Sequence, residues 1–366
     1  MANKKNSAVK NIFEINFGLK ETEKVLVISD VYNESIKKIA KLVAKTGTTY
    51  STHVKYYEYI PTGCHGVEPP EDLWAEAFGK EVYVEMSRKN LFKPVLLKKT
   101  TKNQINEIEK IIKRHKDKAV NVVIALSYYS TSHTKFRDLL NRICGVRYAS
   151  MPLFDEKMLS GPMTVDWKKM SELTKKIASK INNYDGIKIE SNNGTSVIFS
   201  KKGREAKMDT GIITKPGQFS NLPAGEVYLA PVEGTATGRL VLEWAPTRKL
   251  KSPVVLHIEK GEVKRIEGNE KYIDYLEEKF SERRENRNIA ELGIGTNNKA
   301  SRPDNILESE KILGTIHIAL GDNSSFGGKV RTSFHQDFIL FNPTITLMDK
   351  NHDNKKIMDN GKLLIK

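Results

Sequence analysis

Apolar residues follow two rhythms along this chain. From Lys24 to Asp30, KVLVISD is a compact apolar run closed by a polar residue. ESIKKIAKLVAKTG (Glu34–Gly47) follows with its isoleucines, Leu42 and Val43 at helical spacing and Gly47 as a stop. The alternation of types continues. TTYSTHVKYYEYI reads as a strand and DLWAEAFGKEVYVEMS as a helix, then KAVNVVIALSYY as a buried strand and STSHTKFRDLLNRICG as a capped helix stopping at Gly145. Strands alternating with helices predict a largely parallel sheet.

The texture changes after an amphipathic helix, TVDWKKMSELTKKIASKIN (Thr164–Asn182). GIKIES-NNG-TSVIFS-KKG-REAKM carries two hairpin signals in succession, at Asn193–Gly194 and Lys202–Gly203. Short strands with Gly and Pro punctuation run on to about residue 265, and one long helix, NEKYIDYLEEKFSERREN, interrupts before strands resume. The expected fold class is therefore α/β. An N-terminal α/β domain with a mostly parallel sheet occupies residues 1–185, and a strand-rich, largely antiparallel C-terminal domain occupies 186–366. A chain of 366 residues is long for one hydrophobic core, which agrees with two domains.

Composition narrows the classes. The net charge of +15 raises nucleic acid or an acidic membrane as partners. Glutamates interleave with the lysines, as in LEEKFSERRENR and SELTKKIASK, and aromatics do not, so a solvated basic surface is expected and no nucleic-acid partner. The longest apolar runs, VVIAL and VYLAPV, are too short to cross a bilayer, and MANKKNSAVK lacks an apolar core for export, so a cytoplasmic protein is expected. Cys64 and Cys144 cannot build a disulfide framework. Cys64 adjoins His65, but adjacent residues rarely form a nucleophile–base pair. No glycine-rich phosphate loop follows a strand. Ser127, Tyr128 and Ser130 stand where a parallel sheet tends to bind ligands, although serines are ordinary loop residues there.

The chemistry points to the second half. Four segments each place an ionisable group among apolar or glycine neighbours: NLPAGEVYLAPVEG with Glu226, NIAELGIGTN with Glu291, GTIHIALGDN with His317, and SFHQDFIL with His335 and Asp337. On a strand His335 and Asp337 share a face. Carboxylates and imidazoles inside apolar strands must be paired, hydrogen-bonded or bound to metal. Two glutamates, two histidines and an aspartate suit zinc, cobalt, manganese or iron(II).

With GEVYLAPVEG, AELGIG, IHIALG and HQDF in that order, the chain resembles the M29 family of metallo-aminopeptidases, the leucyl-aminopeptidase-like aminopeptidase T and S group, as a divergent branch. The resemblance spans the second domain and is diffuse in the first. It implies Glu226, Glu291, His317, His335 and Asp337 as ligands of two divalent ions, with Glu226 or Glu291 also acting as proton shuttle. It implies a homodimer that removes N-terminal residues from small peptides with a metal-activated water. The chain departs from that family at Ser324, seven residues after His317, where the peptidases carry a tyrosine. A second reading takes His317, His335 and Asp337 as the two-imidazole, one-carboxylate set of a mononuclear iron(II) oxygenase, since a ring-cleaving dioxygenase branch acting on dihydroxypyridines is similar in fold. A third keeps the metal without peptidase activity.

Overall fold

The computed structural model describes residues 2–349 and 354–365. The chain separates into two compact units, Met1–Trp167 with Gly211–Pro223, and Lys168–Thr210 with Ala224–Lys366. The first holds a five-stranded sheet, Val54–Tyr59, Val25–Asp30, Val122–Ala125, Arg147–Ser150 and Phe219–Asn221 in spatial order, with every pairing parallel. Val25–Asp30 and Val122–Ala125 are buried at every position, as expected of a parallel sheet covered on both faces.

Local signals account for the helices. Asn33 caps Glu34–Gly47 by accepting from the Ser35 and Ile36 amides, and Ile36, Ile39, Ala40, Val43 and Ala44 form its buried stripe. Leu42, expected on that stripe, is exposed. The predicted helix around Asp72–Ser87 is two helices, Glu71–Phe78 and Lys80–Arg88, broken at Gly79. Gly79 has φ +99°, and a Cβ there would lie 2.7 Å from the Lys118 side chain.

In the second unit an eight-stranded and a five-stranded sheet, both antiparallel, share one core. The helix Trp167–Asn182 contributes Ile177, Ala178 and Ile181 to that core, and the second unit begins at its second residue, Lys168, where residue 186 was expected. Asn193–Gly194 does turn a hairpin, pairing Gly186–Glu190 with Ser196–Ser200. The Lys202–Gly203 turn does not. It carries the chain from the larger sheet to Lys207–Asp209 in the smaller one. Among the described residues no helix is long and apolar enough to cross a membrane.

Candidate metal centre

The smaller sheet of the second unit runs His335–Phe341, Thr315–Gly321, Ile289–Gly295, Glu226–Leu229 and Lys207–Asp209. Its alternation is plain. Val227, Leu229, Leu292, Ile294, Ile316, Ile318, Leu320, Phe338 and Leu340 enter the core. Glu226, Tyr228, Glu291, Gly293, His317, Ala319, His335 and Asp337 therefore occupy the opposite face. Register then gathers the candidates. Glu226 pairs with Gly295, His317 with Gly293, Glu291 and Asp337 both with Ala319, and His335 with Gly321. Small residues stand between the ionisable ones and give them room. A Cβ on Gly293 would lie 1.9 Å from His317 Cε1, so the imidazole rests over a position that only glycine can fill.

One group closes around a single point. Glu291, His335 and Asp337 each offer a ligand atom, and these three lie within 4.8 Å of one another. His335 Nδ1–H donates to the Asp322 carbonyl at 2.7 Å, which leaves the Nε2 lone pair facing the carboxylates. Nε2 is 3.5 Å from Glu291 Oε2 and 3.6 Å from Asp337 Oδ2. Those gaps exceed a good hydrogen bond. They approach the spacing of about 3–3.6 Å between neighbouring ligands whose bonds to one ion are about 2.0–2.2 Å. The arrangement fits a divalent cation.

His317 occupies a second nest beside the first. Its Nε2 is 3.6 Å from Glu291 Oε1, 3.7 Å from Glu226 Oε2 and 3.8 Å from Asp337 Oδ1. Glu291 and Asp337 thus turn one oxygen toward each histidine. Glu226 Oε2 and His317 Nδ1 are buried without a hydrogen-bond partner. The other Glu226 oxygen is engaged: Lys311 Nζ donates to Glu226 Oε1 at 2.8 Å and to Glu310 Oε2 at 2.7 Å. Lys311 is completely buried.

Glu226, Glu291, Asp337, Glu310 and Asp209 set five carboxyl groups around one ammonium, and the titrations follow. Burial pushes the Glu226 carboxyl up to about 8, with Lys311 opposing. Burial lowers His317, but Glu291, Asp337 and Glu226 outweigh it and bring the imidazole to about 9. His335 likewise rises to about 10 under Asp337 and Glu291. Asp337 is held well below the ordinary carboxylate range by His335 and His317 against the effect of burial. Without a cation, the face therefore neutralises itself by protonating both imidazoles.

Sequence reasoning missed several residues of this face. Tyr228 follows Glu226 by two and could have been found by strand alternation. Lys311 sits in ESEKILG, a polar stretch with no burial signal. Phe326 lies in the loop after the His317 strand, its ring 6.0 Å from that of His335 and 5.9 Å from that of Tyr228. Ser324, standing where the peptidases have tyrosine, donates to the Asp322 carboxylate at 3.1 Å from an exposed turn.

The remaining sequence candidates have local roles in the first unit. The buried Asp30 carboxylate accepts from the Tyr128 and Tyr129 amides. His65 Nδ1 accepts from the Ser130 amide, and Cys64 is an exposed thiol.

Comparison with known proteins overturns the peptidase expectation. A family model described as NicX, 2,5-dihydroxypyridine 5,6-dioxygenase, matches residues 75–365. The 2,5-dihydroxypyridine 5,6-dioxygenase of Pseudomonas putida is 29% identical over 162 residues, 40% of this chain and 46% of the relative. The match thus spans about half the length of that curated relative. The solved structure of the 2,5-dihydroxypyridine dioxygenase from Pseudomonas putida KT2440 superposes with a TM-score of 0.71 at 18% identity, covering 99% of this chain and 97% of the other. Wild-type AmpT from Thermus thermophilus superposes over 100% of both chains at 0.59 and 12% identity. The assignments as hydrolase, protease and aminopeptidase are therefore withdrawn. The segments that suggested them are mostly strands of the smaller sheet, and so report a shared fold. The chain belongs to the 2,5-dihydroxypyridine 5,6-dioxygenase family.

Proposed function

We propose that this protein is a mononuclear non-haem iron(II) dioxygenase that opens the ring of a dihydroxylated pyridine. The observation that carries the reading is the convergence of Glu291, His335 and Asp337, in a chain of this family. Three protein ligands leave positions open for substrate and O₂, as in other non-haem iron oxygenases, although one imidazole and two carboxylates replace the commoner two imidazoles and one carboxylate. Glu291, His335 and Asp337 would hold iron(II), which would supply a redox-active centre for O₂ and the ring hydroxyl. Both oxygen atoms enter the product, and the ring supplies the electrons, so no external reductant is needed.

The chain's own residues do the rest. The Asp322 carbonyl fixes the His335 tautomer, keeping Nε2 available. Lys311 engages one oxygen of Glu226 and offsets part of the negative charge. His317, aimed by Gly293 and surrounded by Glu226, Glu291 and Asp337, is placed to take and hold a proton from a substrate hydroxyl at Nε2.

The test is direct. Protein loaded with iron(II) under nitrogen is mixed with 2,5-dihydroxypyridine and air-saturated buffer, and oxygen uptake, loss of the ring's absorbance and iron content are followed. One iron per chain with one O₂ consumed per ring lost is expected. Full iron with no uptake refutes the reading. A homodimer, carried over as an expectation, is tested by light scattering on the same preparation.

A further inference from the structure

The loop Asp322–Phe334 is tied down around Asn323, which is completely buried. Asn323 Nδ2 donates to Glu233 Oε1 at 3.0 Å, while its Oδ1 accepts from the Val330 amide at 2.9 Å and its carbonyl from the Gly328 amide at 2.9 Å. Glu233 also accepts from the Lys329 amide at 2.7 Å and from Arg204. Gly328 must be glycine, because a Cβ there would overlap the Asn323 side chain. All this scaffolding presents one large apolar side chain. In DNSSFGGK, Phe326 is the sole side chain of that kind.

Its ring turns toward the metal face. The Phe326 plane stands at 85° to the His335 imidazole and at 74° to the Tyr228 ring, at centroid separations of 6.0 and 5.9 Å. These are edge-to-face contacts, a geometry in which part of an aromatic face stays available to another ring. Tyr228 lies on the same sheet face as Glu226 and Glu291, opposite Gly293 in the neighbouring strand. Phe326 thus links His335 at one end of this face to Tyr228 nearer the other, and two aromatic rings in edge contact offer a surface for a flat, conjugated partner.

We propose that Phe326 and Tyr228 form the wall that receives the planar ring of the substrate, Phe326 through its face and Tyr228 through its hydroxyl. The proposal rests on the ring-cleavage reading for the identity of the substrate, but ring binding can be measured without turnover. The metal-loaded enzyme is held without oxygen and titrated with 2,5-dihydroxypyridine, and separately with acetohydroxamate, an aliphatic chelator with no ring. Phe326→Ala should weaken the pyridine about tenfold while leaving acetohydroxamate within about twofold and metal content unchanged. Phe326→Leu, which keeps apolar bulk and so protects folding, should show the same selective loss, and Phe326→Trp should restore binding. Tyr228→Phe should weaken the pyridine by about fivefold. Equal losses for both probes would make Phe326 a mere water shield over His335 and overturn the wall, as would no loss for either. If the wild type consumes no oxygen, ring cleavage fails, yet a selective loss still upholds the wall.

Discussion

Lys311→Met removes the cation from a buried cluster and isolates what that cation does. The ammonium is completely buried and makes two charge-assisted bonds, 2.8 Å to Glu226 Oε1 and 2.7 Å to Glu310 Oε2. Methionine fills similar volume but donates nothing. Breaking one side of a buried ion pair destabilises by about 3–5 kcal/mol, because the remaining charge has lost its partner. The loss should depend on pH. In the metal-free wild type the Glu226 carboxyl already titrates near 8, raised by burial, against about 4.3 for an unfolded glutamate. A carboxyl raised in the folded state binds more protons there than in the unfolded chain, so its contribution falls as pH climbs from about 4.3 to 8. Without Lys311 that carboxyl rises further, and the decline extends to higher pH. The deficit between variant and wild type should thus be small near pH 5, where both carboxyls can be protonated, and approach about 3–5 kcal/mol near pH 9. Urea unfolding of chelator-treated protein, followed by circular dichroism at both pH values, measures it. Glu226→Gln added to Lys311→Met should recover stability at pH 9, because it removes one stranded charge. A deficit under about 1 kcal/mol at pH 9, or a double variant no more stable than the single, would refute this account of the cluster.

Other expectations follow from the same face. Metal binding must displace protons from the imidazoles, which titrate near 10 and 9 without a cation, so affinity should fall about tenfold per pH unit for each proton released below that range; competition titrations at pH 6.5, 7.5 and 8.5 would show a flat profile if this is wrong. Asp337→Asn keeps the shape and removes the charge, and should lower metal affinity by tenfold or more, read by equilibrium dialysis, with unchanged affinity placing Asp337 outside the ligand set. Gly293→Ala puts a methyl 1.9 Å from the His317 ring, and should lower stability by about 1–3 kcal/mol in urea unfolding. Ser324→Ala loses only its bonds to Asp322, so metal content should be unchanged.

How far the sequence carried the reading depended on which interactions were local. Strand alternation in EVYL, AELGIG, TIHIALG and HQDFIL was enough to put Glu226, Glu291, His317, His335 and Asp337 on one kind of surface, and register does bring them together. Lys202–Gly203 turns the chain as its dipeptide suggests, but nothing local says that the next strand joins another sheet. Phe219–Asn221 is three residues long, and it becomes a strand only because the first unit's sheet offers an edge at Arg147–Ser150. Burial of Lys311 is likewise a tertiary fact: the neighbouring Glu310 is local, but it takes Glu226 from a distant strand to complete the pairing that makes burial tolerable.

The peptidase expectation arose from the same strand segments that carry the ionisable face. An antiparallel sheet that alternates carboxylates and imidazoles with glycine and alanine gathers ionisable groups on one face whatever the reaction. Segments such as IHIALG and HQDF therefore report the fold, which this chain shares in outline with an aminopeptidase and a dioxygenase alike. What separates the reactions must lie in the side chains that stand over that surface. In this chain they are a lysine that occupies one glutamate and an aromatic ring mounted on a hydrogen-bonded loop. Ser324 already signalled that the peptidase tyrosine was gone. In its place Ser324 donates to the Asp322 carboxylate on an exposed turn, while the Asp322 backbone carbonyl separately accepts from His335.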